Sequence, residues 1–196
     1  EKSPYNVVRL ILGREADRYG SAAACFQQWQ DKQILIREER PSFYLLHQTF
    51  DGRDGRPVTR KGLIALCRLE EFEKQIVLPH EKTLAKPRED RFKLFKATNA
   101  NFSQVFSLYS DPGLELHQRL NVVARTEPAI DVLFEQVQNK LWIIRHQDPL
   151  EEIRAFFSGK QVLIADGHHR YETGLAYRNF MKEQNPRHTG RELYNS

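Results

Sequence analysis

Residues 162–178 read VLIADGHHRYETGLAYR, and the rest of the chain is best understood outward from them. Val162, Leu163, Ile164 and Ala165 form an apolar run with β-branched members, which predicts a short buried strand. Asp166 and Gly167 break the run. From Arg170 onward the residues suit a helix, with Leu175, Ala176 and Phe180 as its apolar stripe. Strand, tight turn and helix thus follow one another, and the turn carries Asp166, Gly167, His168, His169 and Arg170.

The first N–H groups of a helix lack intrahelical partners, and the helix dipole places partial positive charge there. Gly167, with no Cβ, lets backbone come close to a ligand. Arg170 supplies a fork of donors matched to phosphate oxygens. His168 and His169 can carry protons near neutral pH. Asp166, at the strand end, can hold a divalent metal, act as a base or cap the turn. Any one of these residues is as readily structural, since Asp-Gly is a common turn. All five between a strand and a helix read as an anion site, with phosphate the best match.

A second constellation lies at residues 79–83, PHEKT. Pro79 biases its neighbour towards extended backbone, so His80 and Glu81 sit in a loop or strand exit. Glu81 is a candidate general base and His80 a candidate proton shuttle. The structural alternative is that Glu81 and Thr83 cap the next element. A zinc-protease motif is excluded because Leu84 stands where a second histidine is needed. Glu89 reads as a structural ion-pair partner, Asp90 and Arg91 are open between ion pair and substrate contact, and Asn99 and Asn101 read as turn residues. If the two constellations act together, His80 and Glu81 must lie beside residues 166–170.

The chain has 196 residues, enough for one good core or two small domains, and is 40% hydrophobic and 29% charged, as an ordinary globular protein is. No apolar run is long enough to span a membrane. Cys25 and Cys67 sit in apolar contexts and read as core thiols of a reduced, cytoplasmic protein. The formal net charge of +4 comes from basic residues mixed with acidic ones, without the aromatic-interleaved basic stripe that nucleic-acid binding favours. Nucleic acid is therefore not supported as a partner.

The remaining elements are an early strand over 7–12, a helix over 22–32 with Ala23, Cys25, Phe26 and Trp29 inward, and a hairpin of 42–50 with 59–69. A helix over 87–97, a strand over 105–109, helical residues 114–121, a strand over 141–144 and a helix over 149–157 follow. Residues 130–138 fit a strand and an amphipathic helix equally. The class is α+β, a mixed sheet with flanking helices in a single region, with room for parallel pairs.

The ADGHHRY and PHE-x-T motifs, with SPYNVVRLILG near the start and EDRFKLFKATNANFSQVFSLYSD at 89–111, resemble the DUF1015 family of uncharacterised bacterial and archaeal proteins. The resemblance spans nearly the whole chain. It implies a fragment truncated at both ends, because family members are generally about twice this length. More remotely, strand–Gly-His-x-Arg–helix is similar to the ParB/sulfiredoxin-like superfamily, where this turn binds nucleotide phosphates: CTP in ParB proteins, ATP in sulfiredoxin, ADP or ATP in free-serine kinases. His168 stands where sulfiredoxin has its catalytic cysteine, so that chemistry is not implied, and Asp166 before Gly-His is closest to the kinases.

The leading expectation is a nucleotide-binding enzyme, an ATP- or ADP-dependent phosphotransferase acting on a small molecule. Gly167, His168, His169 and Arg170 would bind phosphate, Asp166 would hold Mg2+, and Glu81, His80 and Asp166 would carry the chemistry. The alternatives are a ParB-like nucleotide switch associated with DNA, and a metal-dependent phosphoester hydrolase using His80, Glu81, Asp166 and His168.

Overall fold

A computed structural model describes residues 3–81 and 85–196, with side chains described from residue 89 in the second segment. In chain order the elements are α1 (Val8–Ile11), α2 (Arg18–Asp31), β1 (Phe43–Asp51), β2 (Pro57–Ile64), β3 (Val77–Leu78), α3 (Ala85–Thr98), β4 (Phe106–Tyr109), α4 (Glu115–Val123), β5 (Ile130–Phe134), β6 (Val137–Ile144), α5 (Gln147–Phe157), β7 (Val162–Asp166) and α6 (His168–Gln184). The fold is mixed α+β, and the chain forms two compact units. Among the described residues no helix is long and apolar enough to cross a membrane.

The first unit gathers residues 1–37, 67–109 and 161–196. Its sheet has the order β3-β7-β4. β7 runs parallel to β3, pairing Val77 with Val162 and Leu78 with Leu163, and antiparallel to β4. Val77, Ile164, Tyr171 and Leu175 form the core, joined by Leu69, Phe72, Val105 and Val162. Tyr171 is tied in by polarity as well as area: its hydroxyl donates to Glu70 O at 2.8 Å and accepts from Glu70 N at 2.9 Å. Burial pushes this phenol up to about 12. α3 packs on α6 through Phe95 stacked on Tyr177, with centroids 4.0 Å apart. Asp90, left open between two roles by its sequence, accepts from Arg18 and from Tyr19 Oη and so ties α3 to α2.

The second unit comprises residues 38–66 and 110–160. Its antiparallel sheet has the order β2-β1-β6-β5. Alternation along the strands sends Leu45, Trp142 and Ile144 to one face, where Leu116 and Leu120 of α4 and Leu150 and Ile153 of α5 complete the core. The β1–β2 tip, DGRDGRP, is an exposed turn with Gly55 at φ +74°.

Several expectations need correction. The segment over 7–12 is the short helix α1 rather than a strand, with only Leu10 buried. In α2 the buried residues are Ala22 and Trp29, not the wider set predicted. Cys67 is exposed and Cys25 only half-buried, so neither is a core thiol. α6 begins at His168, two residues before the expected start, and Ala176 is exposed while Tyr171, Gly174, Leu175 and Tyr177 are buried. Residues 130–138 are strand, turn and strand.

Candidate functional site

Parallel pairing of β3 with β7 makes both strands end on the same side of the sheet. His80 and Glu81, just past β3, therefore emerge beside Asp166 and Gly167 at the end of β7. β4 runs the other way with Phe106 opposite Asp166, so the loop leading into β4 reaches this side too. The carboxyl ends of strands, where neighbouring connections diverge, are the usual ligand position in open sheets with parallel pairs.

His168 opens α6 and is 1% exposed. Its Nε2 accepts the His80 backbone N–H at 3.1 Å. A ring nitrogen that accepts an N–H holds no proton, so the neutral ring carries its proton on Nδ1. That atom lies 3.0 Å from Glu81 Oε1, at ion-pair distance but out of hydrogen-bond alignment. His80 is oriented separately: its Nδ1 donates to Ile164 O at 2.6 Å, and its ring meets His168 edge-on with centroids 4.5 Å apart. The Glu81 side chain remains 53% exposed. The arrangement is an exposed carboxylate beside a buried imidazole. The structural alternative of a Glu81 cap together with Thr83 falls partly outside the described residues, as do Lys82 and Leu84.

His80, Glu81 and His168 offer ligand atoms within 4.8 Å of one another. The tautomer argues against a metal there. A cation on His168 Nδ1 would move the ring proton to Nε2, where it would face the His80 N–H. Magnesium prefers oxygen ligands, and Asp166 offers one exposed carboxylate that already engages Arg170. The described residues thus do not fit a Mg2+ held by the protein.

Gly167 has φ +97°, and a Cβ there would lie 2.9 Å from the Arg170 guanidinium. It is Arg170 that approaches the bare backbone here. The guanidinium folds back over Gly167 to donate to Asp166 and to Gln104 O. These contacts use two of its five donors. His169 is half-buried in the first turn of α6, and its carbonyl accepts from Thr173 Oγ1 at 2.6 Å. The structure thus forms two groups on one side of the sheet: His80 with Glu81 and His168, and Asp166 with Arg170.

Beside the second group, Arg170 and Thr173 of α6, Arg91 and Phe95 of α3 and Asn101 and Ser103 of the following loop line a small recess. The sequence leaves Arg91 open between two roles and offers Asn101 as a turn residue, and no local signal joins either to Arg170. Asn99 is structural, taking the left-handed conformation after α3 while its Oδ1 accepts from Tyr177 Oη at 2.6 Å. Glu89 pairs with Lys93 at 2.7 Å, the structural role expected of it.

The family model described as "Protein of unknown function (DUF1015)" matches residues 1–196, so the chain belongs to that family. No curated protein and no solved structure matches it.

Proposed function

We propose that this DUF1015 protein is a nucleotide-dependent phosphotransferase acting on a small-molecule hydroxyl, with its phosphate site at the start of α6. The supporting observation is the placement of the Glu81 carboxylate 3.0 Å from a buried histidine in that first turn. A base is useful only within reach of the hydroxyl it deprotonates, and a phosphate held at the helix end puts the transferring group close by. Glu81 takes the proton of the acceptor hydroxyl. The freed oxygen bonds to the terminal phosphorus, the P–O bond to the rest of the nucleotide breaks, and the shortened nucleotide leaves with that electron pair. His168, with Nδ1 turned to Glu81 Oε1, flanks the carboxylate from the buried side. Arg170 has donors remaining for phosphate oxygens. Strand β7, Gly-His-x-Arg and α6 are read here as a ParB/sulfiredoxin-like element of the kinase type, and no step is routed through a metal.

The test combines calorimetry and turnover with ATP and ADP in the presence of Mg2+. Glu81→Gln is expected to lower turnover by about 10²-fold or more while leaving nucleotide affinity within a factor of two or so. Arg170→Ala is expected to weaken nucleotide binding roughly tenfold, about 1.4 kcal/mol. Unchanged turnover in Glu81→Gln, or absence of nucleotide binding by the intact chain, would sink the reading.

A further inference from the structure

The recess beside Arg170 has a composition that the phosphate site does not explain. Arg91 is half-buried, and among the described residues it forms no ion pair. Withdrawing a guanidinium from water without a counter-ion is costly, and the cost is recovered when an anion arrives. The other guanidinium lining the recess, that of Arg170, is already balanced by Asp166. The local surplus of positive charge is therefore that of Arg91. Asn101 and Ser103 add neutral polar groups, while Leu94 and Phe95 form an apolar wall. The recess is small, so it suits a compact charged head rather than a whole nucleotide.

The position of the recess is equally specific. Arg170 and Thr173 belong to the first turns of α6, the helix whose start carries His168 and lies beside Glu81. A molecule anchored here by one end has its other end near the proposed phosphate and base. We propose that this recess seats the oxyanion head group, carboxylate or phosphate, of the small-molecule acceptor, with Arg91 as the residue that binds it. The acceptor role rests on the phosphotransferase reading, whereas the oxyanion site itself rests on the recess alone.

The experiment is an NMR titration of the isotope-labelled chain with acetate and, separately, with inorganic phosphate, each repeated in the presence of ATP. Saturable shifts of the Asn101, Phe102, Ser103 and Thr173 amides are expected with at least one anion, and the stronger binder identifies the head group. Arg91→Gln should weaken that binding tenfold or more. Lys93→Gln, which removes a charge from the exposed side of α3, should leave it unchanged. ATP should shift the His168 and His169 amides without displacing the anion. Non-saturable shifts in the intact chain, or equal affinity of Arg91→Gln and wild type, would overturn the site. Displacement of the anion by ATP would overturn the acceptor role, because the recess would then be the nucleotide's own. Saturable anion binding with no response to ATP would keep the oxyanion site and refute the phosphotransferase reading, so the two failures are distinct.

Discussion

Gly167 shows how much a single residue controls at this site. Its φ of +97° lies in a region that side chains with a Cβ avoid, and the space a Cβ would need is filled by the Arg170 guanidinium. Gly167→Ala therefore combines backbone strain with displacement of Arg170 from Asp166. A loss of about 1–3 kcal/mol is expected in urea unfolding, together with weaker anion binding. Full stability and full binding in this variant would show that the turn relaxes at no cost. His168 is controlled differently. Its tautomer is dictated by one backbone N–H, that of His80, so its proton faces Glu81 without any other side chain choosing the orientation.

The elements differ in how closely each sequence matches its geometry. α6 follows its buried faces, with Tyr171 and Leu175 on the sheet and Tyr177 against α3. The β5–β6 hairpin is the poorest match. Its two turn residues, Glu135 at φ +47° and Gln136 at φ +64°, are both left-handed, a geometry that favours Asn-Gly. Replacing Glu135 and Gln136 with Asn and Gly should raise stability by roughly 1–2 kcal/mol, seen as a higher urea midpoint at an unchanged slope. No gain would mean that the strand pairing, with Phe134 opposite Val137, already holds the turn at little cost. This mismatch also explains why residues 130–138 were ambiguous as sequence: the turn carries no turn-forming residue, and every residue of β5 is exposed.

At the scale of the whole molecule, the first unit is assembled from three stretches of chain, with β7 arriving last to sit between β3 and β4. Deleting residues 161–196 removes the central strand, Ile164, Tyr171 and Tyr177 from the packing, so in the remaining stretches the Leu78 amide should exchange with solvent faster than in the whole chain. Persistent protection there would show that the unit holds without its central strand. The sequence alone determined the strand–turn–helix of residues 162–178, the β1–β2 hairpin and most helices, because local periodicity and turn residues act over a few positions. It also marked His80, Glu81 and residues 166–170 as chemically unusual. It misread residues 7–12, where a short apolar run fits helix and strand alike until neighbours choose between them. Only the tertiary structure decided which marked residues meet. Glu81 faces His168, while Arg170 turns to Asp166 and Gln104, and Arg91 joins them from α3. The physical reason is that strand direction is a non-local choice: pairing β3 parallel to β7 brings residues about 85 positions apart to the same edge, and no local propensity encodes that.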